Sequence, residues 1–277
     1  MLSNAAIDLP MPPLDPDDMV TWPLPQFAPA VPPLPSLPCE PLSPLPAAQI
    51  EALQQAAFAA NDRYLIDFVE AYGFCPYARK GRRLGQVHRY LHYADSTDTA
   101  PLVALMHRIA ADPQQAVVQV VMPLLEVSGR DWAQFCQDLT AHANHDLERE
   151  NRMATAALHP KLVYRTDNPF SLLTLFRRSP DPTIQWVRLD AVRALYEGRD
   201  GGTRAVSLDN VDELLARPPM TPLYDRIAIT NATMARRMRV EFIDRLLDGY
   251  HADAQQSYHG ILLDPRYSRL APGDSSR

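Results

Sequence analysis

The chain has little cysteine and little glycine, 3 and 10 among 277 residues. Three cysteines in a chain of this length do not make a disulfide framework, so reduced thiols are expected. No stretch approaches the roughly 18 apolar residues that a spanning helix needs, which excludes a membrane partner of that kind. The N-terminus lacks a basic region followed by an apolar run, and Asp8, Asp15, Asp17 and Asp18 come early. A cytoplasmic location is the expectation. No glycine-rich phosphate loop is present, since Gly198–Gly202 follows an expected helix instead of leading into one. No His-Glu-x-x-His pattern exists; His142 and His145 share a helix face near Asp146 and Glu148, but that face reads as solvated, and no metal is expected. Positive charge is also scarce. A net charge of −6 speaks against nucleic acid, which calls for a basic footprint, and the clusters at 79–83 and 236–239 are short. No internal repeat is found.

Proline is the residue in excess: 27 in all, 14 of them within residues 1–47. Residues 1–46 therefore read as a proline-rich arm in polyproline II or disordered form. Its interleaved leucines, Trp22 and Phe27 are apolar enough to dock on the chain's own domain or on a protein partner. The remainder, within a chain that is 46% hydrophobic, can bury a substantial core.

A helix is expected from about Pro46–Ala48 to Tyr72, with Ile50, Leu53, Ala57, Tyr64, Leu65, Phe68 and Val69 on one face and Gly73 as its stop. Val87–Tyr93 alternates as a strand, with His88 and His92 on one side of the pleat. Pro101–Ala111 reads as a helix. Ala116–Met122 is a nearly continuous β-branched run, the pattern of a central strand buried on both faces. Asp131 to about Glu150 is an amphipathic helix that puts Cys136 in the core. Met153–Leu158 reads as a strand, Ser171–Phe176 as a short helix, and Thr183–Val187 as either a strand or the approach to the next helix. Helices follow over Asp190–Glu197, 206–216 and 223–250. Strands alternating with helices give an α/β (α+β) fold: a small central sheet of about three to four strands packed with helices. Residues 47–197 form the core domain, and 198–277 a C-terminal helical extension packed on it.

The stretch that carries chemistry is Gly73–Phe74–Cys75–Pro76–Tyr77–Ala78–Arg79–Lys80–Gly81–Arg82–Arg83. Proline is favoured at the first helical position, which makes Cys75 the expected N-cap. Free backbone N–H groups and the cations just downstream favour the thiolate, the form that attacks electrophiles or binds metals. The competing reading is a small buried hydrophobe at a helix joint. Two loops add functional groups. His159–Pro160 sits at the end of an expected strand, where α/β folds place ligands. In Arg177–Arg178–Ser179–Pro180–Asp181–Pro182, two prolines fix the backbone beside two guanidinium groups suited to carboxylate or phosphate.

Cys75–Pro76–Tyr77–Ala78, the apolar strand ending at Pro123, His159–Pro160 and Arg178–Ser179–Pro180–Asp181–Pro182 come in an order that resembles the domain of unknown function 1415 family. That uncharacterised bacterial family has the motifs Cys-Pro-Phe-Ala, His-Pro and Arg-Ser-Pro-Tyr-Pro. The similarity covers roughly residues 50–197 and leaves the arm and the C-terminal helices aside. Asp181 replaces the aromatic of the last motif, and Thr183–Gln185 lacks the histidine-bearing segment that follows it. The resemblance implies that Cys75, His159, Arg178 and Ser179 belong together, and names no reaction. Cys75–Pro76–Tyr77 also resembles the glutaredoxin motif, but Ala78 stands where the resolving cysteine would be.

Two functions remain open on these residues. One is a soluble small-molecule enzyme with Cys75 as thiolate nucleophile or redox centre. Arg79 and Lys80 would lower its pKa, His159 would serve as acid–base partner, and Arg177, Arg178 and Ser179 would hold a small anionic molecule. The other is a cofactor-carrying or non-catalytic protein. There Cys75 ligates haem, as cysteine thiolates do, with His88, His92, His107 or a tyrosine as second ligand, or it simply packs while the arm docks on a partner.

Overall fold

In the computed structural model, residues 36–39, 45–75, 78–93, 97–189 and 223–264 are described. The helices expected over 190–197 and 206–216, and most of the proline-rich arm, lie outside them. Five strands make one sheet: β1 (Ser36–Cys39), β2 (Val87–His92), β3 (Val117–Val121), β4 (Met153–Leu158) and β5 (Thr183–Arg188), in the order β1-β2-β3-β5-β4. The first three run parallel, and β5 is antiparallel to both β3 and β4. Four of these strands are the expected small sheet. The fifth, β1, comes from the proline-rich arm and pairs with the edge of β2.

The β-branched run of β3 sits at the centre, with Val118, Val120 and Val121 fully buried, as a strand covered on both faces must be. Helices α3 (Ala100–Ala110) and α4 (Gly129–His145) cover one face. They meet Tyr90, Val118, Val120, Ile184 and Trp186 through Leu102, Met106, Trp132 and Cys136. Burial pushes the Cys136 thiol far up, so this cysteine is core. The other face receives α1 (Ala47–Asp62), a short α2 (Ala78–Arg83), α6 (Leu223–Met238) and α7 (Val240–Leu262); α5 (Pro169–Leu172) packs on α6. Among the described residues, no helix is long and apolar enough to cross a membrane.

Several elements differ from their sequence patterns: the helix expected to about Glu150 ends at His145, and the one expected over Ser171–Phe176 is α5 followed by a 3-10 turn at Leu175–Arg177. The helix expected to reach Tyr72 stays α-helical only to Asp62 and continues over Arg63–Glu70 as a π-helix. Its wider turn shows in the bonds from the Ala71 N–H to the Ile66 carbonyl (3.0 Å) and from the Phe74 N–H to the Val69 carbonyl (2.9 Å). The wider turn accompanies burial of Tyr64, Leu65, Phe68, Val69 and Glu70, and such segments recur at functional sites. Gly73, at φ 71°, then ends the element in the left-handed region that glycine tolerates. The single helix expected over 223–250 is two helices broken at Arg239, whose φ is 64°. The cause is packing. α6 lies on α5 while α7 lies on α1, and one straight rod cannot follow both.

Candidate functional site

Cys75 is half-buried at the joint between the π-helix and α2. The regular turns of α2 begin at Ala78, whose N–H donates to the Cys75 carbonyl at 3.3 Å. The two residues between Cys75 and Ala78, on which its expected N-cap role turns, lie outside the described residues. Cys75 packs into a cluster of aromatic rings. Phe74 lies 4.8 Å from Phe68 and 4.3 Å from Phe176 between ring centroids. Inside this cluster the Tyr64 hydroxyl donates to the Phe176 carbonyl at 2.6 Å. Burial drives the Tyr64 phenol far above its ordinary pKa; the Arg177 guanidinium opposes that rise and Cys75 adds to it. Cys75 and Phe176 thus meet in one cluster from two separate segments of the chain.

The cations after Cys75 are tied elsewhere. Arg82 is buried and donates through Nε and Nη2 to the two carboxylate oxygens of Glu70, at 2.7 Å each. This bond holds the Arg82 guanidinium above its usual value. Arg79 donates from Nη2 to the Glu70 carbonyl at 3.1 Å, with its Nε 3.9 Å from the same carboxylate. Glu70 was not among the sequence candidates. Its signal was an acid at the end of an apolar helix face, ahead of four basic residues. Lys80 belongs to α2, and its side chain lies outside the described residues.

His159, Arg178 and Ser179 gather at a different place, where the ends of β4 and β5 meet α7. The buried His159 ring is bonded on both sides: Nε2–H donates to the Val127 carbonyl at 3.0 Å, and Nδ1 accepts the Lys161 N–H at 3.0 Å. That pattern fixes the neutral tautomer, and burial pushes the imidazole down to about 4. The ring points towards Val127, which packs with the α3–α4 layer, and not into the cluster that holds Cys75. Arg178, also buried, donates from Nε to the Pro160 carbonyl (2.7 Å), from Nη2 to Asp248 (2.6 Å) and from Nη1 to Asp244. The Ser179 hydroxyl donates to the Asp181 carbonyl at 2.5 Å. Two further bonds clasp α7 to this loop: His251 Nδ1–H to the Pro180 carbonyl (2.7 Å) and the Tyr258 hydroxyl to Asp181 Oδ2 (2.7 Å).

Of the two adjacent arginines, Arg178 has its fork filled by two α7 carboxylates and a carbonyl, while Arg177 is half-buried at the end of a 3-10 turn over Leu175–Arg177. The residues named as second haem ligands also lie apart from Cys75. His88 and His92 alternate with Val87 and Leu91 along β2, so they share the face of Tyr90, against α3 and α4. His107 of α3 bonds through Nε2 to the Ala143 carbonyl of α4 at 3.0 Å. The sheet stands between these imidazoles and Cys75. Among the described residues, no group of three or more His, Cys, Asp or Glu side chains is placed to hold a metal ion. Compared with protein-family models, curated proteins and solved structures, the chain matches none.

Proposed function

We propose that this chain is a small-molecule enzyme in which Cys75 acts as a thiolate nucleophile or redox centre and Arg177 holds the anionic end of its substrate. What supports this reading is that Cys75, at the end of a π-helix, packs in the same cluster as Phe176, the chain neighbour of Arg177. Arg177 is the cation best suited to the role, because Arg79 and Arg82 are engaged by Glu70 and Arg178 by Asp244 and Asp248. In this reading His159, Arg178 and Ser179 are positioning residues that lock the loop carrying Arg177; the His159 N–H itself donates to the Arg177 carbonyl at 3.0 Å. Kinship with the domain of unknown function 1415 family, on the motifs around Cys75, His159 and Arg178, belongs to the same proposal.

The test is the pH dependence of alkylation at Cys75 by iodoacetamide, in a protein carrying Cys39→Ser and Cys136→Ala. The expected midpoint lies well below the unperturbed thiol value of about 8.5. Adding Arg177→Met should raise it. A midpoint at or above that value, unmoved by Arg177→Met, sinks the reading and leaves Cys75 as a packing residue.

A further inference from the structure

α6 turns a stripe of small residues to the core. Ala228, Ala232 and Ala235 are each at most 1% exposed, at the i, i+4, i+7 spacing that lines one helix face. One polar side chain interrupts the stripe: Asn231, also buried, three residues after Ala228 and four before Ala235. Asparagine suits a helix interior poorly, because its amide competes for nearby backbone groups. A buried amide also destabilises a core unless it is paired. Alanine would continue the stripe without either penalty. What Asn231 adds is a donor: its Nδ2–H bonds to the Phe74 carbonyl at 3.0 Å, inside the core and 157 residues away along the chain. A carbonyl only accepts, so the nitrogen end of the amide faces it.

That carbonyl is half of the peptide bond joining Phe74 to Cys75. The rest of Phe74 is anchored as well. Its N–H donates to the Val69 carbonyl at 2.9 Å. Its ring packs against Phe68, Tyr72 and Phe176, at centroid distances of 4.8, 5.9 and 4.3 Å. A peptide unit is planar, so a bond at the Phe74 carbonyl also fixes the direction of the Cys75 N–H on its far side. The same bond polarises that N–H, since hydrogen bonds linked in a chain strengthen one another. Cys75 and the alanine stripe of α6 pack in one cluster. A water molecule could satisfy the carbonyl, but it would not hold the peptide in a single orientation.

We propose that Asn231 is a positioning residue for Cys75: its amide holds the Phe74–Cys75 peptide in one orientation and so aims the thiol. It acts through the Phe74 carbonyl, from an element remote in sequence. The inference rests on the reading of Cys75 as a thiolate centre and adds the residue that sets the geometry of that centre. Where the thiolate is stabilised by backbone N–H groups, a peptide free to rock would weaken the stabilisation. A purely structural amide would instead affect only how tightly α6 packs.

The test uses the full chain carrying Cys39→Ser and Cys136→Ala, with Cys75 alkylated by iodoacetamide across pH. Asn231→Ala removes the amide, continues the alanine stripe and favours the helix; Asn231→Gln keeps an amide donor. Asn231→Ala should raise the alkylation midpoint by about one pH unit, a tenfold loss of thiolate preference, and Asn231→Gln should restore part of the shift. Looser packing alone would speed alkylation by the same factor at every pH and leave the midpoint where it was. A depressed midpoint that Asn231→Ala does not move overturns the positioning role and leaves the Cys75 reading standing. A midpoint at or above about 8.5 with Asn231 in place overturns both. Should Asn231→Ala fail to fold, the chain that retains Asn231 decides. Its side-chain amide signal in proton–nitrogen spectra should titrate with the alkylation midpoint, and a signal that stays still through that midpoint refutes the proposal.

Discussion

Asp181 offers the sharpest test of how the C-terminal helix is held. Its carboxyl is 1% exposed, takes one hydrogen bond from the Tyr258 hydroxyl at Oδ2, and has no partner at Oδ1 among the described residues. Burial pushes this carboxyl up to about 7 from 3.8, against the opposing effect of the Tyr258 bond. The folded state thus prefers the protonated acid. Its contribution to stability is full below pH 3.8, is lost as pH rises towards 7, and is flat above that. A tenfold change in proton affinity is worth about 1.4 kcal/mol, so ionisation costs the fold up to about 4 kcal/mol at pH 8. Asp181→Asn keeps an acceptor for Tyr258 and stays neutral at every pH, with the two N–H donors of its amide where the protonated acid has one O–H. The variant should match the wild type near pH 4 and exceed its stability by up to about 4 kcal/mol at pH 8. Urea unfolding followed by fluorescence of the buried Trp132 and Trp186 measures this across pH 4 to 8.5. Parallel curves for the two proteins would refute a buried neutral carboxyl.

Three other substitutions probe the same region. Gly129 opens α4 directly against the turn after His159, where an added Cβ would lie 2.4 Å from the Lys161 carbonyl oxygen. Gly129→Ala should therefore cost about 1–3 kcal/mol in urea unfolding, and a change under about 0.5 kcal/mol would count against this close approach. Arg178→Met removes the clasp on Asp244 and Asp248, whose side chains are 32% and 47% exposed. Screening at those acids lowers the expected loss to about 2–3 kcal/mol, accompanied by faster hydrogen exchange along α7; unchanged exchange there would contradict the clasp. Arg239, at φ 64° between α6 and α7, holds a backbone conformation that costs a non-glycine residue roughly 1–3 kcal/mol. Arg239→Gly should raise the melting temperature and Arg239→Val lower it, and the reverse order would mean the joint is unstrained.

Local chemistry determined a good part of this protein. Alternation and β-branching placed β2, β3, β4 and β5 within a residue or so of their ends. Apolar periodicity placed α3 and α4 and buried Cys136, and Gly73 marked the end of the first long helix because few other residues tolerate its backbone angle. The α/β class followed from that alternation of strands and helices. Short patterns do not encode what longer-range packing adds. Over eight residues an apolar face looks alike at π and α pitch, so Arg63–Glu70 read as ordinary helix. The break at Arg239 carries no glycine or proline, and is imposed by the different neighbours of α6 and α7. The carboxylates that take up Arg178, Asp244 and Asp248, lie 66 and 70 residues further along the chain, so no local pattern around Arg178 announces them. His159 and Cys75 were grouped by motif order, but the hydrogen bonds of the His159 ring turn it to Val127. Asn231 and Phe74 stand 157 positions apart, and no short pattern links them. The place of α6 is set by the burial of its alanine stripe against a whole layer, so only the tertiary structure could bring its amide to the Cys75 peptide.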